Sequence, residues 1–141
     1  MNRLRVKEII AQHRQAILDM GLSESIMVQY NIADQCIPFE MTPKSKAQLL
    51  AKWNNGKALQ KLTCEVLFKL RATLGCTYGE LIGTPYTRIP EDCKDQRRLI
   101  KKWIQYEAEC GNVLDAFVKL SHEYKCAIDF ILLTEEESLM P

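Results

Sequence analysis

Between residues 42 and 83 the chain is punctuated as a run of short helices. Thr42-Pro43 sets an N-cap side chain before a proline at the first helical position, where a missing N–H costs nothing. Asn55-Gly56 stops that helix, because glycine accepts the left-handed backbone of a helix end. Thr63 opens the next helix and Gly75 closes it. Thr77-Tyr78-Gly79-Glu80 then has capping-box spacing, leading into a short helix that ends at Ile82. No convincing apolar–polar alternation marks a strand. The chain reads as all-α.

The flanking segments carry the same period. Residues 3–20 set Val6, Ile9, Ile10, Ile17 and Leu18 near one helical face, and Gly21 ends the run. Ser23 is placed to cap a second helix bearing Ile26, Met27, Tyr30 and Ala33, which Pro38 terminates. Residues 84–92, with Pro85 and Pro90, read as a linker. Beyond it the pattern predicts helices near 91–107 and 112–124, a short one near 127–133, and a frayed acidic end, EEESLMP.

Composition narrows the function classes. With 141 residues, 47% hydrophobic and 26% charged, the chain can build one respectable core or two small ones. Its apolar runs, such as 130–133, are too short to span a bilayer, and MNRLRVKEII lacks the apolar stretch of an export signal. A soluble, cytoplasmic protein is expected. Cys36, Cys64, Cys76, Cys93, Cys110 and Cys126 form no CxxC pair, so they read as reduced thiols rather than zinc ligands. There is no Gly-rich phosphate loop, HExxH or GxSxG, and no informative Cys/His pairing. His13 reads as a packed or half-exposed side chain, and His122 as a surface one. No enzyme activity, metal or cofactor is expected.

The formal charge of +1 conceals a division. Residues 1–83 carry eleven Lys/Arg against seven Asp/Glu, and residues 84–141 carry eight against eleven. Within 41–71 seven basic residues meet one acid, Glu65, so an anionic partner has a local patch to meet.

Sliding the chain against itself gives one telling offset, at fifty residues. LLAKW (49–53) lies over LIKKW (99–103), and these hold both tryptophans. Without a gap, Lys69-Leu70 then falls on Lys119-Leu120, Cys76 on Cys126, and Glu65 on Asp115. Seven identities in thirty-five positions are few, but they fall on anchor positions, which favours a duplication over two unrelated amphipathic helices.

LTCEVLFKLRATLGCTYGELIG (62–83) resembles the second half of the Cro/phage-repressor, or Xre-like, helix-turn-helix family, and WNNGK looks like the loop after that family's recognition helix. LDAFVKLSHEYKCAIDFILLTEE (114–136) is similar to the same region. The chain departs from the family in IPFEMT (37–42), which lengthens the turn, and in a second copy without the Asn-Asn-Gly loop. The resemblance implies a lambda-repressor-like helical bundle over 1–83, a linker at 84–92, and a C-terminal helical module at 93–141 that reads as a degenerate repeat of 43–83. It further implies a sequence-specific transcriptional regulator, commonly a homodimer, reading double-stranded DNA with the helix at about 43–54.

On that helix Lys44, Gln48, Lys52 and Asn55 make one polar stripe with Ser45 beside it, about 17 Å long at ~1.5 Å per residue, while Ala47, Leu50 and Ala51 lie on another side, flanked by Leu49 and Trp53. Gln and Asn can bond adenine bidentately, and Lys reaches guanine or phosphate. The expected DNA-contacting set is Lys44, Ser45, Lys46, Gln48, Lys52, Asn54, Asn55, Lys57 and Lys61. Two other readings stand beside it. A Lys/Gln/Asn face is in general a solvated helix surface. An adaptor or antirepressor would use the same scaffold to bind protein, through residues 93–133.

Overall fold

The computed structural model describes residues 2–12, 14–19, 26–88 and 93–128, and every regular element among them is helical. Helices α1 (Val6–Gln12) and α2 (Arg14–Asp19) stand at the N-terminus, followed by α3 (Ile26–Cys36) and α4 (Pro43–Asn54). A 3₁₀ turn (Leu59–Lys61) leads to α5 (Cys64–Leu74) and α6 (Tyr78–Ile82), and α7 (Cys93–Cys110) and α8 (Val113–Tyr124) complete the order. No helix among the described residues is long and apolar enough to cross a membrane.

The caps form where the local chemistry calls for them. Thr42 Oγ1 accepts from the Ser45 N–H at 3.2 Å, with Pro43 at the first helical position. Thr63 Oγ1 accepts from the Val66 N–H at 3.3 Å, and Thr77 Oγ1 from the Glu80 N–H at 3.1 Å. In the capping box the Glu80 carboxylate accepts a hydrogen bond from the Thr77 hydroxyl at 3.2 Å. Each bond satisfies an N–H that the first turn would otherwise leave without a partner.

Two helical hairpins supply most of the core. In the first, residues 37–42 join α3 to α4, which pack on each other, and Asp34 reaches Lys46 across the pair at 3.6 Å. Ile32, Ala33, Cys36 and Ile37 are buried in the same core cluster as Leu49, Leu50 and Trp53, with α5 packed on α3. In the second, α7 and α8 fold about Gly111-Asn112, and Trp103 stacks on Phe117 with centroids 5.4 Å apart. The N-terminal segment ties the elements together. Leu4 N–H bonds the Trp53 carbonyl at 3.1 Å and Arg5 N–H the Leu81 carbonyl at 3.0 Å, with the Leu4 side chain fully buried. Gly83, with φ of 82°, lacks the Cβ that would collide with the Arg5 side chain.

Several expectations change. Val6 and Ile9 are buried as the periodicity requires, but Leu18, read on the same face, is 39% exposed. Ala51, read as able to pack, is also exposed. The segment read as a linker docks over residues 84–88. There Tyr86 Oη pairs with His122 Nδ1 at 3.0 Å, Arg88 donates to the Tyr124 carbonyl at 3.1 Å, and the Arg88 carbonyl accepts from the Ala127 N–H at 2.8 Å. Residues 127 and 128, read into a short helix, are not helical. His13, Gly21, Ser23 and residues 129–141 lie outside the described residues.

At the fifty-residue offset some features of the described residues coincide. α5 ends in a left-handed cap at Gly75, bonded to the Arg71 carbonyl, and α8 ends in one at Lys125, bonded to the Ser121 carbonyl. Trp53 and Trp103, Leu70 and Leu120, Cys76 and Cys126 are all buried. The halves part where Asn55-Gly56 stops α4, because α7 runs on to Cys110.

Candidate functional site

The exposed side of α4 and the loop after it form a cationic surface. Lys44, Gln48, Lys52 and Asn55 are exposed at successive turns, and Lys57 and Lys61 are exposed beyond the helix end. Among the described residues none of these four lysines forms an ion pair. The hydrophobic side of the same helix fixes their direction, since Leu49, Leu50 and Trp53 are buried.

The loop is held by the indole of Trp53. Its Nε1–H donates to the Ala58 carbonyl at 2.9 Å, and Ala58 takes a left-handed conformation, φ 55°, to present that oxygen. Lys57 N–H bonds the Lys52 carbonyl at 2.8 Å, and Gly56 N–H the Trp53 carbonyl at 3.1 Å. The backbone carrying Lys57 is therefore closed onto α4.

Three residues of the expected set lie differently. Asn54 is 8% exposed, because its position on α4 turns it inward towards the N-terminal segment rather than along the stripe. Lys46 is drawn to Asp34, and its side chain is 14% exposed. Ser45 is half-buried and occupied in the cap, where its Oγ accepts from the Thr42 hydroxyl at 2.9 Å.

One cation near the site was not in the expected set. Arg3 Nη1 donates to the Asn54 carbonyl at 3.4 Å, bringing positive charge to the negative end of the α4 dipole. Its Nη2 lies 2.6 Å from Glu8 Oε1, and this bond to Arg3 holds the Glu8 carboxyl below its ordinary pKa. The alternating basic residues of the opening MNRLRVK were the available signal. The extended backbone that carries Arg3 back to α4 depends on tertiary bonds.

The site has no nucleophile–base pair, and no cluster of three or more His, Cys, Asp or Glu able to hold a metal occurs among the described residues. What the surface offers is positive charge and amide groups on a rigid helix. Comparison with protein families, with curated protein sequences and with solved structures finds no match to this chain.

Proposed function

We propose that the chain is a non-enzymatic DNA-binding regulator that lays the exposed side of α4 against duplex DNA. The observation that carries the reading is the row Lys44, Gln48, Lys52, Asn55, continued by Lys57 and Lys61, all exposed and with the lysines forming no ion pair among the described residues. Such a row matches a polyanion, whose phosphates release counterions when lysines approach. Gln48 and Asn55 supply the donor–acceptor pairs that read adenine, while the lysines position the helix.

The reading keeps α4 in the role that the Xre-like resemblance gives it and adopts the family's lambda-repressor-like arrangement, dimeric state and cytoplasmic setting. It modifies the turn: six residues, 37–42, join α3 to α4, where helix-turn-helix pairs ordinarily use about 3–4.

The test is fluorescence anisotropy with a labelled mixed-sequence duplex at about 50 and about 200 mM salt. Binding should weaken steeply with salt, and Lys52→Ala or Lys57→Ala should weaken it equally on all sequences. Gln48→Ala should instead change the preferred sequence in a selection. No binding at the lower salt refutes the reading. The adaptor reading is favoured by Ile104, which stands 59% exposed on α7. It predicts that the lysine variants are silent on DNA.

A further inference from the structure

The basic side of α4 has a counterpart on α7. Leu99 and Trp103 turn that helix inward, at 3% and 8% exposure, as Leu49 and Trp53 turn α4. At about 3.6 residues per turn, Arg97, Arg98, Lys101 and Gln105 then fall within about 100° of the opposite side, and all four are exposed. Lys102 is half-buried at the edge of that side, its ammonium 5.9 Å from the centroid of the Tyr106 ring. Among the described residues Arg97, Lys101 and Lys102 form no ion pair.

The acids of the same helix stand beyond this row. Glu107 is half-buried, and Glu109 is held within the chain, 3.6 Å from Lys119 and accepting from Gln105 Nε2 at 2.9 Å. α7 is thus divided along its length, with its cations over 97–102 left to an anion from outside. It also differs from α4 in one respect. Where α4 offers Gln48 and Asn55, the residues fifty positions on are Arg98 and Gln105, and the Gln105 amide is engaged by Glu109. At these positions α7 keeps groups that hold a phosphate and gives up groups that read a base. The turn that carries Lys61 packs against α8, and α8 packs against α7, so the second row of cations belongs to the hairpin adjoining the cationic loop.

We infer that the 97–102 segment of α7 is a second phosphate contact, indifferent to sequence, on the same DNA duplex that α4 reads, with Arg97 and Lys101 at its centre. The inference rests on the DNA reading of α4 for its ligand. Arg97 and Lys101 stand one turn apart, about 6 Å along the axis, and the guanidinium can take a phosphate with two parallel N–H bonds. A single chain then grips the duplex at two helices, α4 positioning and reading, α7 positioning alone. Because both contacts form in one complex, the counterions they release add in the salt dependence.

The experiment is anisotropy titration of the full chain against a labelled mixed-sequence duplex between about 50 and about 200 mM salt, with circular dichroism confirming that each variant is folded. Arg97→Ala with Lys101→Ala should flatten the slope of log affinity against log salt by about 1.8, and together with Lys52→Ala and Lys57→Ala by about 3.6. Arg97→Lys with Lys101→Arg keeps both charges and should keep the slope. Lys7→Ala with Lys69→Ala removes two cations from other surfaces and should leave it unchanged. Selection with the α7 alanine pair should return the wild-type preferred sequence, and sedimentation with duplex in excess should show no more than one duplex on each chain. If the α4 pair flattens the slope and the folded α7 pair does not, the α4 reading stands and the second contact is overturned. A wild type that binds no DNA at the lower salt overturns both. A slope that falls equally with Lys7 and Lys69, or a chain that holds two duplexes, overturns the second contact.

Discussion

At the scale of single residues the paired tryptophans show how one side chain can fit two settings unequally. Trp53 Nε1–H has the Ala58 carbonyl, offered by a loop that exists because Asn55-Gly56 stops α4. The corresponding Trp103 is followed by continuous helix, and its buried Nε1–H has no acceptor among the described residues. Replacing each by phenylalanine removes the same atoms, so the comparison isolates the hydrogen bond. Trp53→Phe should cost about 1–2 kcal/mol more than Trp103→Phe in denaturant unfolding, because it alone leaves a carbonyl without its donor. The left-handed caps give a second contrast. Gly75 meets its positive φ without strain, whereas Lys125 holds a φ of 50° with a full side chain. Lys125→Gly should therefore stabilise the chain by about 0.5–1 kcal/mol, measured the same way. Asn54 and Lys46 belong to this scale too. Residue type put them in the expected set, but helical spacing turns both away from the polar stripe, Asn54 towards the N-terminal segment and Lys46 towards Asp34.

At the scale of elements, the helix boundaries within 42–83 are readable because they rest on side chains bonding their own backbone three residues away. The exposed face of α4 is readable for a related reason, since the 3.6-residue period separates Leu49, Leu50 and Trp53 from Gln48, Lys52 and Asn55. The role of residues 2–5 is not readable. Their bonds go to Trp53 and Leu81, and nothing local in MNRLR indicates those partners. The docking of residues 84–88 on α8 is hidden likewise, since two prolines nearby read simply as a break. Leu4 is the test of this element. Leu4→Ala should cost about 2–4 kcal/mol, the range for emptying a leucine-sized site in a core. A loss below about 0.5 kcal/mol would mean that the segment does not hold α4 and α6 together.

At the scale of the whole molecule, the two halves share a core. The 3₁₀ turn packs against α8, and Asn2 donates to Asp115 at 2.9 Å. The thiols report on that core. Burial pushes the Cys76 thiol up to about 11, and raises those of Cys36 and Cys126, while Cys64 and Cys110 are half-exposed. Because the thiolate is the nucleophile, iodoacetamide at about pH 8 should alkylate Cys64 and Cys110 roughly tenfold faster than Cys76 or Cys126. Equal rates in the native protein would contradict the shared core. The surface has the opposite design, with Lys44, Lys52, Lys57 and Lys61 gathered on α4 and the following loop and, among the described residues, without ion pairs. The central claim is that these cations meet phosphate, and the salt dependence of DNA affinity tests it most directly. The slope of log affinity against log salt should be steep for the wild type. It should flatten by about 1.8 when Lys52 and Lys57 are both replaced by alanine, about 0.9 for each phosphate no longer neutralised. A slope unchanged by the double replacement, or no affinity at about 50 mM salt, would contradict it.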